Sequence, residues 1–145
     1  MRYPKLRKNM YYHVYNRAVS KKLIFKRDRD YRYFMYKIAQ YKEKYEIEIL
    51  IYCVLPNHFH LLLKSDHDAR NISRFMKGVK QSYAQFFNKK YDHFGHVFEG
   101  RFHHKEITTN ADLAYVKKYI RNNPVKHGLV KRYYEWPYFW ICPYL

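Results

Sequence analysis

Residues 47–64 read IEILIYCVLPNHFHLLLK, two apolar runs separated by the turn-forming pair Pro56-Asn57. The run from Ile47 to Val54 has the length and composition of a buried β-strand. The run from His58 to Lys64 follows the turn directly, so the segment predicts a β-hairpin. We expect this hairpin to lie at the centre of the fold.

The second strand of the predicted hairpin carries two histidines separated by one residue. Side chains alternate between the faces of a strand, so His58 and His60 point to one face and Phe59, Leu61 and Leu63 point to the other. Two imidazoles on one face can hold a metal ion. An isolated pair of this kind more commonly consists of ordinary polar residues on a solvated sheet face, so the pair alone does not establish a metal site.

Further strands and helices are predicted before and after this hairpin in the sequence. Residue patterns predict a first strand at Tyr11–Arg17 and a last strand at Arg101–Ile107. They also predict three helices: one from the N-cap Asp28 to about Tyr45, one from Ala69 to Asn88, and one from Ala111 to about Asn122. The third helix has Asn110 as its N-cap and is ended by Pro124. The order strand, helix, strand, strand, helix, strand, helix is the split βαβ pattern of a ferredoxin-like, RRM-like α+β fold. We therefore expect an antiparallel sheet with helices on one face, the histidines on a central strand and a C-terminal helix. No repeat or linker divides residues 1–145, which are expected to form one domain with a docked aromatic tail from Glu135.

Composition indicates a nucleic-acid partner. The chain has 29 Lys and Arg against 12 Asp and Glu, a net charge of +17, and 21% aromatic residues. Basic surfaces attract phosphates, and exposed rings stack on unpaired bases, although many of the rings are expected in the core and much of the charge on solvated surface. Cys53 and Cys142 have no spaced partners and no apolar run reaches membrane-spanning length, so we expect a cytoplasmic protein without a membrane partner.

The third predicted helix adds a possible nucleophile. Tyr115, Tyr119 and Asn123 step by four residues and so share one side of the helix. In a tyrosine-rich chain such residues commonly serve in packing. Combined with His58 and His60 they permit a different arrangement, in which a metal held by the imidazoles and an Asn oxygen polarises a phosphate beside a tyrosine.

Four motifs occur in order along the chain. They are Tyr12–Arg17 (YHVYNR) followed by Ile24-Phe25, Leu55–Leu62 (LPNHFHLL), Gly95–Phe102 (GHVFEGRF), and Tyr119–Val130 (YIRNNPVKHGLV). In these motifs the chain resembles the HUH-type single-tyrosine transposases, especially the REP-associated tyrosine transposases of bacteria. The resemblance covers nearly the whole sequence.

The resemblance implies a metal-dependent nuclease and strand transferase that acts on single-stranded DNA near hairpins. By position, His58 and His60 correspond to the metal ligands, and Tyr119 to the nucleophile that forms a 5′-phosphotyrosine link and releases a 3′-OH. Asn123 corresponds to the third ligand, with the adjacent Asn122 as the alternative. An octahedral site completed by phosphate oxygens and water suits Mg²⁺ or Mn²⁺.

The expected partner is single-stranded or hairpin DNA. Contacts to it are predicted for Asn16, Arg17, Arg101, Lys117, Lys118, Arg121 and Lys126. His93, His96, His103 and His104 have no usual zinc-site spacing and are expected to face DNA or solvent. The family that the chain resembles includes monomers and homodimers. In its length and in the Asn-Pro-Val-Lys-His-Gly end of the helix the chain looks more similar to the monomeric, REP-associated branch, so the resemblance implies a monomer.

Two other functions are compatible with parts of this pattern. A noncatalytic RRM-like module would bind single strands by stacking bases on sheet aromatics such as Tyr12, Tyr15 and Phe102. A metal-dependent phosphodiesterase that uses water would need the two histidines but not Tyr119. A protein–DNA adduct that survives denaturation distinguishes the transposase from both.

Overall fold

A computed structural model describes residues 5–144, which form five strands and three α-helices. In chain order they are β1 (Tyr11–Arg17), α1 (Asp28–Lys44), β2 (Ile47–Leu55), β3 (His58–Ser65), α2 (Arg70–Tyr91), β4 (His103–Ile107), α3 (Asn110–Lys126) and β5 (Phe139–Ile141). Short 3₁₀ turns lie at Val19–Lys21 and Tyr133–Glu135. None of the helices within residues 5–144 has the length and apolar character needed to cross a membrane.

The strands form one antiparallel sheet in the order β4-β1-β3-β2-β5. The Pro56-Asn57 turn joins β2 to β3 and places Leu55 opposite His58. β3 lies in the middle of the sheet, with β1 on one side and β2 on the other. The predicted α+β ferredoxin-like fold and the central position of the histidines are therefore confirmed.

The two faces of the sheet are covered by different helices. On one face, Phe34 of α1 and Phe75 of α2 pack with Tyr12 of β1 in the larger core. On the other face, Val116 and Ile120 of α3 pack in a smaller core with side chains from β2 and β3. The histidines of β3 lie on the α3 face, because the alternate residues Phe59, Leu61 and Leu63 are buried in the larger core.

The third helix starts and ends differently from the prediction. Its N-cap is Thr109, whose side-chain oxygen accepts a hydrogen bond from the backbone N–H of Asp112 (3.0 Å), and Asn110 is already helical. The helix continues through Pro124 to Lys126. Proline removes one backbone hydrogen bond, which is costly in the middle of a helix. Here Pro124 lies in the last turn and is buried, so packing retains the helical path.

The C-terminal tail docks, as expected, but it adds an unpredicted strand. The predicted last strand is shorter than expected, because β4 begins at His103, and β5 follows it in sequence. β5 pairs with the free side of β2, where Tyr52 lies opposite Trp140. The indole N–H of Trp136 donates to the carbonyl of Val54 (2.9 Å) and anchors the segment before β5.

A buried carboxylate fixes the start of α1 against α2. Asp30 is fully buried and accepts hydrogen bonds from the Lys90 ammonium (2.5 Å), the Tyr91 hydroxyl (2.5 Å) and the backbone N–H of Arg27 (3.1 Å). Arg27 is therefore the N-cap, in place of the predicted Asp28. Burial by itself raises the pKa of the Asp30 carboxyl, but these hydrogen bonds outweigh burial and hold the pKa below its ordinary value.

We expect Asp30→Asn to lower the free energy of unfolding by about 2–3 kcal/mol at pH 7, because Lys90 loses its carboxylate partner but keeps some contact with water. The folded-state pKa of Asp30 is depressed, so its contribution is complete above about pH 4 and is lost as pH falls through the folded pKa. Urea unfolding from pH 7 to pH 2 measures both effects. Asp28→Asn, which breaks an exposed ion pair with Arg32, is the matched control and should cost less than about 1 kcal/mol. A difference between Asp30→Asn and wild type that is unchanged at low pH would contradict this account.

Candidate active site

The α3 face of β1 and β3 brings imidazole and phenol side chains together. In the register of the two strands His60 lies opposite Tyr15, and His58 lies opposite Arg17. Because side chains alternate along β1, His13 shares the face of Tyr15 and Arg17. Three histidines from two adjacent strands therefore face the helix that carries Tyr119.

The His58 imidazole is held between two asparagine side chains. Its Nδ1 lies 2.7 Å from Oδ1 of Asn57, and its Nε2 lies 3.3 Å from Oδ1 of Asn123. Asn57 is oriented by its own amide N–H, which donates to the carbonyl of Lys21 (3.3 Å). Asn57 thus offers an acceptor, and this hydrogen-bond network places the single proton of a neutral His58 on Nδ1. The Nε2 lone pair then faces the oxygen of Asn123.

The pair formed by His58 and Asn123 suits a cation. Asn123 is fully buried, and its Nδ2 has no hydrogen-bond partner among residues 5–144. Two lone pairs that face each other at 3.3 Å are stabilised by a positive charge between them. Adjacent ligands of an octahedral Mg²⁺ at about 2.1 Å lie about 3 Å apart, close to the observed separation. The neighbouring candidate, Asn122, is partly exposed, and Asn123 is the residue that contacts His58.

His60 is fixed by His13. Nδ1 of His60 lies 2.9 Å from Nε2 of His13, and both rings are buried. If Nδ1 of His60 donates, its Nε2 lone pair is left for a ligand, as in His58. Burial and the nearby histidines lower the pKa of His60 well below its ordinary value; burial and the charge of Lys105 lower the pKa of His13 to about 4. The pKa of His58 is also lowered, mainly by burial. All three imidazoles are therefore neutral at pH 7, the form that binds metals.

The donor set is two imidazoles and one amide oxygen. Within residues 5–144 no three His, Cys, Asp or Glu side chains are grouped so that they could hold a metal ion. His58, His60 and Asn123 would leave several positions of an octahedral ion for phosphate oxygens and water. Such an open site fits an ion that binds together with a nucleic-acid substrate.

Tyr119 lies beside the imidazoles. Its ring is perpendicular to that of His60, with 5.6 Å between centroids, and lies 5.9 Å from the ring of His13. The ammonium nitrogen of Lys126 is 3.5 Å from the Tyr119 hydroxyl oxygen and 4.9 Å from its ring centroid. Tyr115 is one helical turn away and is 69% exposed. Of these two phenols, Tyr119 is the one enclosed by the histidines and the lysine.

The predicted DNA contacts do not all surround this site. Arg17 and Lys126 border it, and Arg17 is exposed and paired with Glu99 (2.7 Å). Lys117 and Arg121 lie about half a turn around α3 from Tyr119. The Arg121 guanidinium lies over the ring of Tyr133 at 4.8 Å, on the other side of the helix. The structure therefore does not bring Lys117 and Arg121 to the candidate nucleophile.

The other predicted contacts have more varied environments. Lys118 is exposed on α3, and the Arg101 guanidinium lies 5.1 Å from the ring centroid of Phe102. Asn16 is only 1% exposed, and its amide N–H donates to the carbonyl of Glu99 (3.1 Å). Asn16 therefore orders the segment before β4, and it also lines a cavity that contains Arg17 and His58.

Sequence reasoning did not identify His13 and Tyr15 as part of this site. The signal was present, because the alternation rule applied to His58 and His60 also puts His13 and Tyr15 on one face of β1. The pairing of that face with His60 depends on the register between β1 and β3, which no local pattern supplies.

The chain is similar in sequence to known transposases. Residues 6–123 match a family described as "Transposase IS200 like". The "Putative REP-associated tyrosine transposase" of Haemophilus influenzae is 34% identical over 106 residues, which are 66% of this chain and 60% of that protein. The "REP-associated tyrosine transposase" of Escherichia coli is 27% identical over 108 residues, 74% of this chain and 62% of that protein. The chain thus spans about three fifths of the length of these curated relatives.

The fold is similar to a solved structure of a REP-associated tyrosine transposase bound to a REP hairpin. The TM-score is 0.80 at 22% sequence identity, and the similarity covers 96% of this chain and 81% of that one. At this identity the similarity supports the fold. The chain therefore shares its overall fold with that protein.

Proposed function

The chain belongs to the IS200-like transposase family, and from this premise we propose that it is a metal-dependent endonuclease and strand transferase acting on single-stranded DNA near hairpins. The observation that carries the proposal is the position of Tyr119. Its ring contacts His60, and its hydroxyl lies beside Lys126, on the same helix as Asn123. A candidate nucleophile, a cation and a candidate metal site thus lie close together.

In the proposed reaction the Tyr119 hydroxyl oxygen attacks the scissile phosphorus. A bond forms between that oxygen and phosphorus while the bond from phosphorus to the 3′-oxygen breaks. The phenol loses its proton, the 3′-oxygen gains one, and the products are a 5′-phosphotyrosine and a free 3′-OH. A 3′-OH later attacks the phosphotyrosine, which restores the phenol and joins the strands. The phosphotyrosine conserves the energy of the phosphodiester, so no nucleotide cofactor is needed.

The surrounding side chains have separate roles in this proposal. Lys126 places positive charge beside the phenol oxygen, where negative charge develops as the proton leaves. His58, His60 and Asn123 would hold Mg²⁺ or Mn²⁺, which polarises the scissile phosphate when it is bound. Buried, neutral imidazoles have lone pairs available for this purpose without prior loss of a proton.

The direct test of this proposal is whether a covalent protein–DNA adduct forms. Wild-type protein is incubated with Mn²⁺ and an oligonucleotide that contains a hairpin with single-stranded flanks, then denatured and resolved by electrophoresis. We expect a protein–DNA adduct that survives denaturation. Binding without an adduct would favour the noncatalytic module, although two of its proposed stacking residues, Tyr12 and Phe102, are buried at 0% and 5% exposure.

We further propose that residues 1–145 act as one domain and that a monomer completes the site. The support is that His58, His60, Asn123 and Tyr119 come together from β3 and α3 of a single chain. The relatives are bacterial proteins, and we propose the bacterial cytoplasm, where DNA is present, as the place of action.

His13 gives a prediction for metal affinity. We expect His13→Ala to weaken Mn²⁺ binding by about 10–100-fold, because His60 loses the ring nitrogen that fixes its orientation. Electron paramagnetic resonance of free Mn²⁺ measures the dissociation constant without DNA or turnover. His104→Ala removes another buried histidine, which packs beside Tyr12 on the opposite face, and is the matched control. Equal affinities in all three proteins would refute the role of His13.

Electrostatics gives a prediction for DNA binding. With a net charge of +17, affinity should fall by at least about tenfold between 50 and 200 mM salt. Hairpins with single-stranded flanks should bind more tightly than perfect duplexes of equal length, because unpaired bases can contact aromatic side chains. Fluorescence anisotropy at matched ionic strength measures both effects. Equal affinity for the two DNAs would contradict the preference for unpaired strands.

A further inference from the structure

Two cavities lie next to each other at the candidate site, on the α3 face of β1 and β3. One, of about 520 Å³, is lined by Tyr15, Arg17, Lys21, His58 and His103 among others. The second, of about 320 Å³, is lined by residues that include His13, Tyr15, His60, Lys105 and Tyr119. Tyr15 lines both cavities and separates them, and each cavity contains one of the two candidate metal-binding histidines.

The larger cavity has the size and charge that an unpaired nucleotide requires. Its volume lies within the range of about 300–1,000 Å³ typical of small-ligand pockets. Its lining within residues 5–144 includes the exposed cations Lys21 and Arg17, of which Arg17 also pairs with Glu99 outside the lining. No acidic side chain is among these lining residues, whereas Glu106 and Asp112 line the smaller cavity. Ring side chains also line it, and such rings contact bases without requiring one sequence.

The direction of the strand follows from the position of the nucleophile. In an in-line displacement the attacking and leaving oxygens lie on opposite sides of the phosphorus. Tyr119 is among the residues that line the smaller cavity and is not among those of the larger one, so the candidate nucleophile lies on the side of the smaller cavity. A phosphate held at His58 and His60 then has its leaving 3′-oxygen directed to the side of the larger cavity.

We propose that the larger cavity binds the unpaired nucleotide whose 3′-OH is released by cleavage. This inference rests on the proposed function, because it requires cleavage by Tyr119. The cavity holds the new 3′-OH end next to the phosphotyrosine between the cleavage and joining steps. Arg17 and Lys21 contact the phosphate on the upstream side of this nucleotide, and Tyr15, His58 and His103 surround its base.

Two neighbouring residues of β4 provide a matched pair for the test. His103 and Lys105 share one face of the strand, but His103 lines the larger cavity and Lys105 the smaller one. The cleavage position is first mapped with wild-type protein, from the 3′-OH end of the product of a flanked hairpin oligonucleotide. Affinities are then measured on the Tyr119→Phe background for that oligonucleotide and for versions that lack the base immediately upstream or immediately downstream of the scissile phosphate.

We expect His103→Ala to weaken binding of the complete oligonucleotide by about tenfold, and to weaken binding of the DNA without the upstream base by less than about twofold. Lys105→Ala should reduce the affinity for these two DNAs by equal factors. The assignment of the cavity is overturned if the effect of His103→Ala on affinity is lost on the DNA without the downstream base, or is the same for all of these DNAs. Either result leaves the proposed function intact. If wild-type protein neither cleaves nor forms an adduct with this DNA, the proposed function and this inference fail together.

The rate of product release checks the same assignment in proteins that keep Tyr119 and can therefore cleave the DNA. After cleavage, the upstream fragment with the 3′-OH should dissociate about tenfold faster from His103→Ala than from wild type, whereas Lys105→Ala should release it at a rate within about twofold of wild type. Equal release rates for all three proteins would contradict retention in the larger cavity. Thermal unfolding of each variant shows whether the fold is retained.

Discussion

Tyr119→Phe is expected to lower the rate of covalent adduct formation by more than about a thousandfold while DNA affinity stays within about twofold of wild type. The substitution removes only the hydroxyl oxygen that attacks phosphorus. The remaining ring can keep its contacts with His60 and His13, so the site retains its shape. Adduct is measured on denaturing gels with a labelled oligonucleotide, and affinity by anisotropy on the same DNA.

Tyr115→Phe is the matched control for this prediction. It removes an identical hydroxyl one helical turn away, from a side chain that is 69% exposed and that packs on Tyr119 at 6.4 Å. Adduct formation should persist in Tyr115→Phe, at most a few-fold slower than in wild type. Peptide mapping should place the DNA on Tyr119. DNA attached to Tyr115, or an adduct that persists in Tyr119→Phe, would overturn the proposed mechanism.

The double replacement His58→Ala and His60→Ala is expected to abolish cleavage and to reduce Mn²⁺ affinity by more than about a hundredfold. Only the amide of Asn123 would remain from the candidate ligand set, and a single neutral oxygen binds a divalent ion weakly. Much of the DNA affinity should survive, because phosphate contacts from basic residues elsewhere are retained. Product gels with Mn²⁺ or Mg²⁺, with and without EDTA, measure cleavage.

A second pair of closely spaced histidines serves as the control for this double variant. His93→Ala combined with His96→Ala removes the same number of imidazoles from the segment that follows α2. That variant should cleave DNA at a rate within a few-fold of wild type. EDTA-resistant cleavage by the His58 and His60 variant at the wild-type rate would end the assignment of the metal site. Thermal unfolding of both double variants separates loss of the site from loss of the fold.

Local patterns were sufficient to predict the centre of the sheet. The hairpin of β2 and β3 is specified by its apolar runs, its turn residues and the alternation of side chains, and all of these are short-range properties. The ends of α3 depended on more than local rules. Pro124 predicts a stop, but its burial and the hydrogen bond from the His127 N–H to the Asn123 carbonyl (3.1 Å) continue the helical path. Lys126 is close to Tyr119 because of that continuation.

The contact of His13 with His60 could not be predicted for a different reason. Both histidines lie on strands that were predicted correctly, but 47 residues separate them along the chain. Whether His13 or Val14 faces His60 is decided by the register of β1 on β3, and a shift of one residue would exchange the two faces of β1. Packing of Val14 in the larger core fixes that register.

The short strand β5 has a consequence for self-association of the protein. β2 reads IEILIYCVL, and an unpaired strand of this composition is a template for intermolecular β-pairing and aggregation. Pairing with β5 covers the outer edge of β2 from Ile51 to Cys53, and the backbone N–H of Val54 donates to the carbonyl of Tyr138 (2.9 Å). The opposite edge strand, β4, is only five residues long and carries Lys105, whose charge opposes pairing with another chain. The two edges of the sheet are thus protected from fibre-like association by different means, a docked strand on one side and shortness with charge on the other.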